Sequence, residues 1–358
     1  MSGSGPIFIG GTGRSGTTVL SRYLGNHREL VNVPFEARFL TDRDGLLDVF
    51  TALTENYSIN QGRLALRALE RLMKTSLADP LTTPYLGYNR YGTLPPATLR
   101  AATDRLLSDL SAGTFRGRDY SSTDRRATLR RWGRPLQTMV GRLSKPLLGR
   151  PLRLINYSYQ HIEPAEEMFI PRYFADAAAL GRRLGSFVDE LFAELIRPPA
   201  KNWCEDTPAN VLHMPFLRML FPAARFINIV RHPLGVAHSM RKMPWAPDDP
   251  EGVADYLDNL YARLIDCHEW ALAEFPGQYR AVRLEDLVTP GVVEDLLVFT
   301  GLDPAGFDGS IRFEEEKINH YRHRLSANER DLLSGRLSRF IDYFGYDQLT
   351  PQPDPQII

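Results

Sequence analysis

The residues best equipped for chemistry cluster near the start of the chain, in Gly10-Gly11-Thr12-Gly13-Arg14-Ser15-Gly16-Thr17-Thr18. A glycine-rich turn points its amides inward, and a following helix N-terminus adds partial positive charge where a phosphate would sit. Thr17 and Thr18 add hydroxyl donors, and Arg14 adds a planar cation suited to bidentate contact with phosphate-like oxygens. The chemistry of Gly13, Arg14, Ser15, Gly16, Thr17 and Thr18 is therefore anion binding. A second group lies far downstream, in Val230-Arg231-His232-Pro233 with Ser239 eight residues past Arg231. It offers a guanidinium fork, a helix start and a hydroxyl. Glu36 is the third element, a carboxylate able to take a proton from a substrate hydroxyl.

Position comes from the elements around these residues. Ile7 to Ile9 read as a buried strand, and the spacing of Val19, Leu20, Tyr23 and Leu24 starts a helix after the loop. Val31 to Val33 read as a second strand that Pro34 ends, leaving Phe35, Glu36 and Arg38 just beyond it. From about 42 to 110 the apolar spacing is helical. A helix is expected at Thr207-Pro208, then a strand over 225–230 and a helix carrying Ser239. A long helix over about 253–275, a strand over 279–283 and closing helices near 290–300 and 327–344 follow. Alternating strands and helices predict an α/β fold, P-loop-like, with a mainly parallel sheet flanked by helices. The expected organisation is one domain over 1–350 with a helical insertion or cap at about 42–200, and a frayed proline-rich tail at 351–358.

Composition narrows the class. The 358 residues carry 43 Lys+Arg against 43 Asp+Glu, so net charge gives no footprint for nucleic acid. Cys204 and Cys267 are the only cysteines, too few for a disulfide scaffold, and no metal-ligand spacing appears. No window approaches the apolar length of a membrane span, and no leader pattern is read at the N-terminus, so a soluble cytoplasmic protein is expected. Residues 116–153 carry eleven Arg or Lys against Asp119 and Asp124. That run reads either as a surface for an anionic substrate, partner or lipid headgroup, or as a solvated helical face.

The first loop satisfies more than one template. Gly11-Thr12-Gly13-Arg14-Ser15-Gly16 fits the dinucleotide fingerprint G-x-G-x-x-G, and Glu36 stands 20 residues past Gly16, where an oxidoreductase would hold a ribose hydroxyl. Gly11 to Thr18 nearly fits the triphosphate loop, with Thr17 in place of its lysine, which argues against a kinase or ATPase. A third reading moves the cation to Arg14. It pairs the loop with Arg231 and Ser239 as two separate anion sites for a nucleotide phosphorylated at both ends of its ribose.

At these motifs the chain resembles the sulfotransferases that use 3′-phosphoadenosine-5′-phosphosulfate (PAPS), especially protein-tyrosine and carbohydrate sulfotransferases. Gly13 to Thr18 resembles the family's 5′-phosphosulfate loop, and Phe226 through Ser239 its 3′-phosphate motif. Arg283-Leu284-Glu285-Asp286-Leu287 and Tyr343-Phe344-Gly345-Tyr346-Asp347 resemble elements common in the family. The resemblance implies PAPS as donor without a metal. It implies Glu36 as general base, Arg14 on the transferring group, Thr17 and Thr18 on the 5′-phosphate, and Arg231 and Ser239 on the 3′-phosphate. The acceptor is a small molecule, carbohydrate, lipid or peptidyl hydroxyl or amine, because residues 40–200 carry no matching motif. One departure stands out: Asp206 occupies the position of a family lysine, so either Lys201 reaches in or Arg14 acts alone. That departure also keeps open a catalytically silent nucleotide-binding relative, beside the Rossmann-type oxidoreductase.

Overall fold

The computed structural model describes residues 5–77, 94–117, 166–307 and 313–346, with positions 139, 142 and 146. Most of the basic run 116–153 and the tail 351–358 lie outside the described residues. Two compact units result, one of Met1–Leu107 with Tyr173–Ile358 and one of Ser108–Arg172. The strands are β1 Ile7–Gly10, β2 Leu30–Asn32, β3 Ser111–Gly117, β4 Glu166–Pro171, β5 Asn202–Glu205, β6 Arg225–Val230 and β7 Tyr279–Arg283. The first helices are α1 Thr17–Leu24, α2 Leu46–Leu53, α3 Ile59–Arg71, α4 Pro96–Leu110, α5 Ala177–Phe192 and α6 Met214–Leu220. They continue as α7 Pro233–Met240, α8 Pro250–Glu274, α9 Pro290–Thr300, α10 Glu315–Asn319, α11 Ala327–Arg336 and α12 Ser338–Tyr343.

In the larger unit five parallel strands form one sheet in the order β2-β5-β1-β6-β7. Side chains alternate between faces along a strand, and both faces of β1 are apolar and buried. Ile7 and Ile9 join a cluster with Leu20 and Leu24 of α1 and Leu296 and Leu297 of α9. Phe8 points the other way, against Trp203, Phe221 and Phe226 at ring separations of 5.4, 5.8 and 5.4 Å. Phe192 of α5 packs on Trp203 at 4.8 Å, so helical residues cover this face too. Each buried phenylalanine contributes about 1.5–3 kcal/mol.

This strand order departs from one of the templates that the loop fits. A dinucleotide fold places its second strand beside its first. Here β5 lies between β2 and β1, so the end of β2 stands two strand spacings, about 10 Å, from the glycine loop. The strand that Glu36 follows is therefore not the direct neighbour of β1, so the sheet lacks the strand order of the oxidoreductase reading. By contrast β1 and β6 are direct neighbours, with Ile7 opposite Arg225 and Gly10 opposite Asn228. The chain turns to opposite sides of the sheet after β1 and after β6, and such a switch point opens a crevice at the strands' C-terminal ends.

Two local expectations also change. The stretch after Thr207 forms a short 3-10 turn, Pro208–Leu212, before α6 restarts at Met214. His213 breaks the run with non-helical backbone at φ −121° and ψ 19°, and Pro215 is tolerated in the first turn of α6, where its missing N–H needs no partner. The interval 42–200 is not wholly helical: β3 and β4 pair antiparallel in the smaller unit, with Thr114 opposite Phe169 and Arg116 opposite Glu167.

Candidate functional site

The loop after β1 is wound tightly. Gly13, Arg14 and Gly16 have φ of 74°, 59° and 107°, so three of four consecutive residues are left-handed. Glycine adopts this freely, whereas Arg14 does so at a cost that its surroundings must offset. Arg231 Nη1 donates to the Arg14 carbonyl at 3.2 Å, and Gly11 N–H donates to the Pro208 carbonyl at 2.9 Å. Gly11 has no room for a side chain, because a Cβ would lie 2.4 Å from the Ile229 carbonyl oxygen and from Ser15 Oγ. At the start of α1 the first amides have no partner within the helix and so face the loop's concavity.

The second motif closes on the first. Arg14 Nε donates to Ser239 Oγ at 3.0 Å, joining residues 225 positions apart. Arg14, Gly16, Thr17, Thr18, Arg231 and Ser239 line a single cavity of about 530 Å³. The spacing predicts two separate anion sites, and the structure joins them because β1 and β6 are adjacent and their loops open together. Gly13 and Ser15 complete the loop without lining the cavity. Ser15 Oγ and Arg231 Nε are buried without a hydrogen-bond partner. Burial pulls the Arg231 guanidinium below its usual range, opposed by the Glu285 carboxylate nearby. Leu284, Phe313 and Ile318 give the cavity an apolar wall, and Lys317 a further cation. Lys317 escapes a reading by motif because Glu314-Glu315-Glu316-Lys317 looks like an ordinary solvated charge run.

Glu36 follows β2 on the same C-terminal edge of the sheet, half-buried, and is not among the residues lining that cavity. Burial raises its carboxyl above the usual range, and the neighbouring carboxylates of Asp206 and Asp42 push the same way against Arg38. The loop carrying it is pinned from β5. Glu205 accepts from Ala37 N–H at 2.7 Å, Thr207 N–H at 2.9 Å and Asn210 Nδ2 at 2.5 Å, and also from the Thr207 hydroxyl. Asn210 Nδ2 also donates to the Ile9 carbonyl at 3.2 Å. One buried carboxyl thus ties the Glu36 loop to the 3-10 turn and, through Asn210, to β1. Burial pushes Glu205 up to about 7 against the pull of its hydrogen bonds to Thr207 and Asn210.

Other candidates find structural roles. Lys201 precedes β5 at the N-terminal edge of the sheet and pairs with Glu29 at 2.5 Å, so it does not reach the loop. Asp206, where the resemblance implies a lysine, is buried. Trp203 is 3% exposed and sits edge-on to Phe8, Phe192 and Phe221 in the core. His27 is buried, its Nε2 donating to the Asp303 carbonyl at 2.8 Å and its Nδ1 accepting from Glu29 N–H at 3.1 Å. Among the described residues no group of three or more His, Cys, Asp or Glu side chains could hold a metal ion. Among them, too, no helix is long and apolar enough to cross a membrane.

Comparison with known proteins bears on this arrangement. A model of the sulfotransferase family matches residues 152–305. The omega-hydroxy-beta-dihydromenaquinone-9 sulfotransferases Stf3 of Mycobacterium bovis and Mycobacterium tuberculosis are each 26% identical over 165 residues. That match spans 41% of this chain and 42% of each relative's length. Among solved structures, the sulfotransferase domain from the curacin biosynthetic pathway aligns at a TM-score of 0.43 and 13% identity, over 94% of this chain and 99% of that one. The family match and the Mycobacterium relatives support a sulfotransferase family for this chain.

Proposed function

We propose that the protein transfers a sulfuryl group from PAPS to a hydroxyl or amine acceptor. In this reading Arg14, Thr17, Thr18 and the loop amides take the 5′-phosphosulfate, while Arg231 and Ser239 take the 3′-phosphate. The acceptor oxygen or nitrogen attacks sulfur in line and gives its proton to Glu36. The bond from sulfur to the bridging phosphate oxygen breaks, and adenosine 3′,5′-bisphosphate leaves. Arg14 balances the charge that grows on the leaving oxygens. The observation that carries this reading is the Arg14–Ser239 contact, which brings both motifs into one cavity. The unpartnered Arg231 Nε on the cavity wall, together with the cavity volume, fits a bisphosphorylated nucleotide. The relatives are named for a hydroxylated menaquinone derivative, so a lipid-like alcohol is the first acceptor to try.

Titration calorimetry tests the donor half. Adenosine 3′,5′-bisphosphate is expected to bind and NAD is not. The reverse preference would overturn the assignment. Turnover of labelled PAPS across lipid, sugar, phenol and peptide acceptors then identifies the second substrate.

A further inference from the structure

The peptide unit joining Arg231 to His232 is held on both sides by side chains from other elements, Tyr261 buried and Glu285 half-buried. Its carbonyl accepts from the Tyr261 hydroxyl of α8 at 3.4 Å, and its N–H donates to Glu285 Oε1 at 3.0 Å. Glu285 sits in the 3-10 turn directly after β7, which pairs with β6 so that Val230 lies opposite Arg283. The other carboxylate oxygen of Glu285 accepts from the Tyr346 hydroxyl at 3.0 Å. Tyr346 is held in turn. Arg283 grips Asp286 through two N–H groups, at 2.6 and 3.1 Å, and donates to the Gly345 carbonyl at 3.0 Å. The His232 ring lies between Tyr321 and Tyr346, at 5.4 and 4.9 Å, and its Nδ1 accepts from Leu234 N–H at 3.2 Å to start α7.

None of Tyr261, Glu285 and Tyr346 lines the cavity. Their connection to it is the backbone of Arg231. The Arg231 guanidinium donates to two backbone carbonyls, those of Arg14 and Ile318, at 3.2 and 2.7 Å. Its direction therefore depends on how its own peptide is oriented. A half-buried N–H without an acceptor is unfavourable, so shortening Glu285 drives the 231–232 peptide to turn in search of another partner.

We propose that Glu285 is a positioning residue for Arg231: its carboxylate fixes the 231–232 peptide so that the guanidinium faces the cavity, and Tyr346 locks the carboxylate from behind. The proposal rests on the reading that this cavity takes a nucleotide whose 3′-phosphate meets Arg231.

The test compares the Kd of adenosine 3′,5′-bisphosphate with that of adenosine 5′-monophosphate, which differ only in the 3′-phosphate. Glu285→Ala is expected to lower bisphosphate affinity roughly tenfold and to leave monophosphate affinity within about twofold. Arg231→Ala lowers bisphosphate affinity by at least as much, and the double variant is no worse than Arg231→Ala alone, because both act through one contact. Glu285→Gln keeps an oxygen for His232 N–H and retains most of the preference. Tyr346→Phe loses one hydroxyl and keeps its ring, which covers the case in which Glu285→Ala fails to fold. It is expected to lower the preference by about threefold. Equal weakening of both nucleotides in Tyr346→Phe, or full additivity of Glu285→Ala and Arg231→Ala, overturns the proposal. A wild-type protein that does not distinguish the two nucleotides overturns the donor reading itself, and the proposal with it.

Discussion

Arg14 has two duties that pull on different atoms. Its backbone bends through a left-handed conformation to close the loop, while in the proposed reaction its guanidinium meets developing charge. Lysine can keep the charge but not the planar fork, so Arg14→Lys is expected to retain nucleotide binding and lose about 10²–10³ in turnover. Single-turnover transfer from labelled PAPS measures it. Glu36 makes a pH prediction. Only the ionised carboxylate accepts a proton, and its folded value is raised, so turnover should climb with pH through a limb above the ordinary carboxylate range. Removing the like charge beside it, in Asp206→Asn, moves that limb to lower pH. Glu36→Gln flattens the limb and costs about 10²–10⁴ in rate with nucleotide affinity unchanged. Full activity in Glu36→Gln would take the role of base away from this residue.

Glu205 shows how one element steadies another, since β5 ends in the acid that holds the Glu36 loop. Its folded value of about 7 lies above the usual carboxylate value of 4.5, so the folded protein binds this proton more tightly than the unfolded chain. The associated stability is complete below the ordinary value and is lost as pH rises through about 7, at most ~3 kcal/mol. Thermal melts between pH 5 and 8 should show this loss in the wild type, and Glu205→Gln should remove the slope. The element carrying Glu205 was also the hardest to read from sequence. Asn202–Glu205 is four residues long with polar ends, too brief for an alternation signal, whereas Arg225–Val230 and Tyr279–Arg283 announce themselves as apolar strands. The β3 and β4 pair was missed for a different reason. Its register is set by partners some fifty residues apart rather than by a local turn. The glycine loop and the Arg231 turn were legible because their chemistry is local. Lys317 and the Glu285–Tyr346 pairing were not, because only the fold brings them to the cavity and to the turn.

At the scale of the molecule, ligand binding should report on the whole sheet. A nucleotide at a hundred times its Kd stabilises the folded form by about 2.7 kcal/mol, so adenosine 3′,5′-bisphosphate should raise the melting temperature by several degrees and NAD should not. The Arg14–Ser239 contact carries a further consequence for how the protein comes into being. The amino-terminal cradle leaves the ribosome more than two hundred residues ahead of the hydroxyl that completes it, and closing so long a span is slow. On the proposed function, nucleotide binding is thus among the last properties the newborn polypeptide acquires.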